Sequence, residues 1–181
     1  MKFAIPLICC LTLVISSFGQ VKLTTQTGII TFNSYTPIEK ISASSNQVIG
    51  SINKNSGAIE VYVTIQSFQF KNALMQKHFN QNYMESDRFP EATFYGTIKN
   101  LTLMQYNTPG TYQAQVTGFL TIHGIEQAIA GRGTAKVTKD SVLLSSELKV
   151  KPEDYNINIP ALLRDNIAKV IEVQIKLSMK R

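Results

Sequence analysis

Two-residue alternation in short runs dominates the chain. Ile59, Val61, Val63 and Ile65 alternate with Glu60, Tyr62, Thr64 and Gln66, bounded upstream by Asn55-Ser56-Gly57. Successive strand side chains point to opposite faces, so this run reads as a half-buried strand. Tyr112, Ala114, Val116, Gly118, Leu120 and Ile122 alternate with Gln113, Gln115, Thr117 and Thr121 after a Thr108-Pro109-Gly110 turn. Val142, Leu144, Leu148 and Val150 share one parity, with Glu147, Lys149 and Lys151 on the other. Ile171, Val173, Ile175, Leu177 and Met179 alternate with Glu172, Gln174 and Lys176. Weaker alternation over Gly28 to Phe32, Val48 to Ile52, Phe94 to Ile98 and Ile129 to Val137 brings the expectation to about eight strands. The turn signals fall at intervals of an all-β sandwich or barrel.

Two segments break the pattern. Between Asn72 and Tyr83 the apolar residues Leu74, Met75, Phe79 and Tyr83 recur at three- and four-residue spacing behind Asn72 as an N-cap. That predicts a short amphipathic helix. Pro160 to Asn166 predicts one or two turns at most, with Pro160 at the first helical position and Leu162 and Leu163 as the apolar face. On the inward parity the small residues Ala114, Gly118, Gly131, Gly133 and Ala135 contribute almost no volume. Either they leave a lumen open, or they mark bulges and tight corners that larger neighbours fill.

The first residues carry one cation, Lys2, then an apolar run from Ala4 to Val14 broken by Pro6 and Thr12, then Ser16-Ser17-Phe18-Gly19. This is the pattern of a secretory signal peptide, residues 1–19, leaving 20–181 as the mature domain. The apolar run is too short for a bilayer span, so no stable membrane anchor is expected. Export to the periplasm follows, or secretion as the alternative. Both cysteines, Cys9 and Cys10, fall in the leader, so no disulfide or thiol chemistry is expected of the mature chain. With 18 Lys+Arg against 12 Asp+Glu, one of the cations being Lys2, the mature balance is +5. The cations are scattered singly, as a solvated basic surface scatters them, and nucleic-acid binding would need a clustered stripe. Self-association into a homodimer is left open.

Candidate chemistry is sparse. His78 falls on the predicted helix; His123 precedes Gly124 at the end of a strand and is expected to begin a hairpin turn and bond its backbone. No carboxylate cluster suggests a metal site, and no G-x-S-x-G elbow, phosphate-binding loop or dinucleotide fingerprint is present. Glu85, Asp87 and Glu91, flanked by Arg88 and Pro90, read as a solvated turn rather than an acid/base pair. Neither an enzyme nor a cofactor is indicated.

Three stretches resemble the YceI-like family. The run from His78 to Phe94, HFNQNYMESDRFPEATF, is similar to its helix-to-strand segment; Val116 to Ile125, VTGFLTIHGI, to its hairpin; and Asp154-Tyr155-Asn156-Ile157 before Ile159-Pro160 to its late D-Y-x-I element. The matches span about Gly28 to Met179 in the family's order. They depart in the opening: many relatives begin with a Trp and an Asp-x-x-His-Ser segment, whereas this chain has no Trp and opens with Gly28-Ile29-Ile30-Thr31-Phe32-Asn33-Ser34. The resemblance implies a lipocalin-like antiparallel barrel that binds, transports or stores a polyisoprenoid or similar lipophilic molecule in its interior. A chain of that kind is held by desolvation, at roughly 0.8 kcal/mol per buried methylene. Phe68, Phe70, Met75, Phe79 and Phe89 near a mouth closed by the helix, then Leu120, Ile122 and Tyr155, are the expected ligand contacts, with the Tyr155 hydroxyl available to a polar head. The alternative is a structural or partner-binding β-domain with a filled core and an outer patch of Tyr62, Tyr95 and Phe119.

Overall fold

The computed structural model describes residues 22–100 and 106–180. The predicted leader and both cysteines lie outside the described residues. Eight long strands run antiparallel, each beside its sequence neighbour: β1 (Lys22–Tyr35), β2 (Lys40–Asn53), β3 (Ala58–Thr64), β5 (Glu91–Ile98), β6 (Gly110–Ile122), β7 (Ile125–Val137), β8 (Ser141–Val150) and β9 (Ile171–Lys180). β9 also pairs with β1, Phe32 against Val173, and closes the sheet into a barrel. An even number of strands makes that last pairing antiparallel, and closure pairs both outer strands of the sheet. A two-residue strand, β4 (Gln69–Phe70), pairs with Ala43 and Ser44 of β2, above the point where β3 ends.

β1 and β2 are much longer than their alternation suggested. β1 slips register between Thr25 and Gly28 and again before Ile30, with the Thr27 amide turned onto the Thr25 hydroxyl. Its buried residues therefore run Leu23, Thr25, then Gly28, Ile30: the parity inverts part-way along. In β2 the buried set passes from Ala43 and Ser45 to Val48 and Gly50 in the same way. A bulge adds one unpaired residue and flips every following side chain to the other face.

Because the strands alternate in direction, the two longest connections, residues 65–90 and 151–170, fall at one end, the mouth, with the turn 36–39 and the two-residue turn His123-Gly124. The opposite end, the base, has the connections 54–57, 99–109 and 138–140. The helix α1 (Ala73–His78) lies in the 65–90 connection and relaxes into one wider π-type turn over Phe79–Tyr83. Asn72 caps it as expected, its side-chain oxygen accepting from the amides of Leu74 and Met75 at 2.8 and 3.3 Å. The apolar face is narrower than the spacing suggested, since Met75, Phe79 and Tyr83 are partly buried while Leu74 faces solvent. The second predicted turn is a single 3-10 turn at Ala161–Leu163, preceded by Pro160, and its Leu162 is solvent-exposed rather than packed.

Candidate functional site

The inward side of the barrel changes character along its axis. At the base, Leu23, Ile52, Val137, Val142 and Met179 meet and are essentially fully buried. Along β9, Leu177 and Met179 are buried, but Ile171, Val173 and Ile175 on the same parity are only partly so. β6 repeats this: Ala114 is buried, and Val116, Gly118, Leu120 and Ile122 toward the mouth are not. Inward side chains left uncovered by protein atoms border empty space. That space is a cavity of about 470 Å³ that runs from the mouth connections down to Ile59, Ile98, Ala114 and Leu177, just above the filled base, a size typical of small-molecule sites.

Its lining is aliphatic and aromatic, with Ile30, Val61, Phe94, Ile129, Leu148 and Ile175 from the walls and Met75, Phe79, Ile159 and Ile167 from the mouth connections. Polar groups gather where β1 and β2 reach the mouth. The Asn166 side-chain amide donates to Glu39 Oε2 at 2.9 Å, and the Ala168 amide donates to Ser34 Oγ at 2.8 Å. The two bonds stitch the 151–170 connection onto the end of β1 and the β1–β2 turn, and Ser34, Glu39, His78 and Asn166 all border the cavity.

Of the eight ligand contacts expected from the sequence, Phe68, Phe70, Met75, Phe79, Leu120 and Ile122 line this cavity. Phe68, Phe70 and Phe79 surround Phe32, whose ring lies 5.3 Å from that of Phe79 and 5.4 Å from that of Phe68. Offset and tilted ring pairs at such distances add to the area they bury. Phe32 was missing from the expected set although it shares the inward parity of Ile30 and Ser34. Also missing were Ile157, Ile159, Leu163 and Ile167, whose irregular connection carries no periodicity that could point inward.

Phe89 and Tyr155 stand elsewhere. The Phe89 ring packs edge-on to His123, 4.4 Å between centroids, with the Arg88 guanidinium over its face. His123 and Gly124 both have positive φ, 52° and 73°, and make the tight two-residue β6–β7 turn. The turn is as expected, but the imidazole does not bond it: Nδ1 donates to the Tyr155 carbonyl at 3.1 Å. Nε2 makes no hydrogen bond and stands 3.3 Å from Glu85 Oε1, an ion pair only when the ring is protonated. His123 thus joins the 85–89 turn, the β6–β7 turn and the 152–155 turn. Glu85, Asp87 and Glu91 are solvent-exposed, as a solvated turn requires. Tyr155 is buried, and burial, with the Asp154 charge, pushes its phenol above the ordinary range.

Tyr155 borders a second concavity of about 600 Å³, in the wall. β7 and β8 pair only from Arg132 to Val137, against Glu147 to Val142. Toward the mouth β7 stays with β6 and β8 with β9, so the two strands diverge. The 152–155 turn arches over the gap, and the Gln127 side chain donates to the Asp154 carbonyl at 2.9 Å. Leu120, Ile129, Gly131, Leu148 and Val173 line both this opening and the lumen.

The small inward residues divide between the two roles open to them. Ala114 and Ala135 are buried. Gly118 faces Gly96 across the β5–β6 pair, and a Cβ there would collide with the Tyr95 carbonyl and come within 2.8 Å of the Phe94 ring. At Gly131 a Cβ would meet nothing closer than Ser146 Oγ at 4.0 Å, so that position opens onto the lumen.

A search of curated proteins gave no match. Among solved structures the barrel is similar to a polyisoprenoid binding domain from Saccharophagus degradans implicated in plant cell wall breakdown, with TM-score 0.77 and 14% identity over 88% of this chain and 98% of that one. It is similar to BcnA of Burkholderia cenocepacia, TM-score 0.70 and 14% identity over 83% and 95% of the two chains. The YCEI protein of Campylobacter jejuni follows with TM-score 0.55 and 16% identity over 100% and 99%. At these identities the likeness is one of fold. Residues 20–179 match the family model of the YceI-like domain, and the chain belongs to that family.

Proposed function

We propose that this protein binds a long-chain lipophilic molecule of the polyisoprenoid kind in its lumen, and carries or stores it outside the cytoplasm without transforming it. The observation that supports this best is the contrast along the barrel axis: a filled base beneath an apolar cavity of about 470 Å³. A domain with a filled core would have no use for that space. The polyisoprenoid named for the Saccharophagus degradans domain is a chemically fitting guest for such a lining. Phe68, Phe70, Met75, Phe79, Leu120 and Ile122 would contact the apolar chain, with Tyr155 at the side opening and Phe89 supporting His123 behind the wall. A polar end would sit near Ser34, Glu39, His78 and Asn166. The carrier reading also accommodates His123, which is committed to a backbone carbonyl.

The test is organic-solvent extraction of protein purified from its own host, followed by mass spectrometry, with the N-terminus sequenced in the same preparation. A stoichiometric long-chain lipid and a start near Gln20 are expected. Repeated absence of any lipid, with full-length chain retained in the cytoplasm, would defeat the proposal.

A further inference from the structure

The charges and exposed apolar side chains around the mouth are not evenly spread. The turn 85–91, the start of β7 and the segment 151–156 carry six carboxylates, Glu85, Asp87, Glu91, Glu126, Glu153 and Asp154, against Arg88 and Lys151. The β1–β2 turn with the first residue of β2, residues 71–78 and residues 160–170 carry Lys40, Lys71, Lys77, Arg164 and Lys169 against Glu39 and Asp165. These three basic segments adjoin in space, because β9 neighbours β1, β1 neighbours β2 and β2 carries β4. The Asn166–Glu39 and Ala168–Ser34 bonds hold two of them together.

Among the described residues, the exposed large apolar residues of the mouth connections and of the strand ends beside them stand on the basic side. Leu162 is 94% exposed, Ile38 66%, Leu74 58% and Tyr35 54%, with Leu163 and Val170 beside them. Folding alone does not account for them: Leu162 sits at the tip of a 3-10 turn and packs on nothing, and Leu74 stands on the solvent side of a six-residue helix. Exposed apolar tips among cations match a surface that is apolar just beneath a layer of negative charge. We propose that this side of the mouth docks peripherally on an anionic lipid bilayer, Leu162, Ile38 and Leu74 entering the headgroup layer and the cations meeting lipid phosphates. Contact remains at the surface. Among the described residues no helix is long and apolar enough to cross a membrane, and the outer face of β9 carries Glu172, Gln174, Lys176 and Lys180. Docking there places the mouth against the source of an apolar cargo, and for that purpose alone the inference rests on the lumen reading.

Co-sedimentation of the purified protein with phosphatidylcholine vesicles, with and without phosphatidylglycerol, tests it. Binding to the anionic vesicles that weakens as salt is raised is expected, since each cation near such a surface strengthens binding about fivefold at moderate ionic strength. Leu162→Asp with Ile38→Asp, and separately Lys71→Glu with Lys77→Glu, should each weaken binding at least about tenfold, with circular dichroism and extracted lipid unchanged. Equal binding by wild type and variants, or none by wild type, overturns the proposal. So does light scattering that shows Leu162→Asp splitting a dimer while vesicle binding is unaffected, because the patch would then join two copies. An empty lumen in a protein that still docks would defeat the cargo reading and leave this one standing.

Discussion

Gly131 and Gly118 share the inward parity of two paired strands, and their surroundings give them opposite roles. Gly118 has no Cβ because the β5 backbone and the Phe94 ring occupy that volume. Gly131 has none although nothing occupies it. Gly131→Leu therefore projects a side chain into the lumen without strain, and losing a strand glycine slightly favours folding through the unfolded chain. The variant is expected to melt within about 1 kcal/mol of wild type while extracted lipid falls severalfold. Thermal denaturation and mass spectrometry on one preparation check both, and full lipid content would show that the guest lies elsewhere. Alternation identified both glycines as inward, but what separates them is the partner strand, which local sequence does not name.

Among the elements, those whose alternation is unbroken were legible as strands, namely β3, β6, β8 and β9, and so was the helix through its N-cap. β1 and β2 were legible only in part, because bulges invert their parity and their inward residues include Thr25, Ser34 and Ser45 instead of aliphatics. Hydrophobic pattern misplaced Leu74 and Leu162, since spacing states which residues share a face but not whether a neighbour covers it. The β6–β7 turn shows how tightly one short element can be specified. His123 and Gly124 take φ values of 52° and 73°, and the Phe89 ring would lie 2.7 Å from a Cβ on Gly124. Gly124→Ala is expected to cost about 1–3 kcal/mol through that contact and the left-handed backbone. For a domain of this size that is a melting point lower by roughly 2–4 °C per kcal/mol. Calorimetry giving an unchanged transition would contradict the turn geometry.

For the whole molecule, an all-β barrel of about eight strands with one helix was readable from pattern and resemblance together. The division into a filled base and a hollow above it was not. It arises from which inward side chains meet across the barrel: Leu23, Ile52 and Met179 converge at one end, whereas Ile171 and Val173 look across open space. Such convergence depends on strand tilt and stagger rather than on any single strand's sequence. Phe32 and the 151–170 connection joined the lining for the same reason.

The filled base gives the lumen a floor, and a floor makes it a gauge of length. In a homologous series of linear alcohols, affinity should climb by up to about 0.8 kcal/mol for each added methylene while carbons still find apolar wall. Once the tail touches bottom the gain should stop, because further carbons remain in water at the mouth or bend out between β7 and β8. Titration calorimetry along the series would show a rise followed by a plateau; a rise without end would mean that the base yields. A blunt tube of this kind discriminates by extent before it discriminates by chemistry, so closely related guests would be sorted by how far they reach.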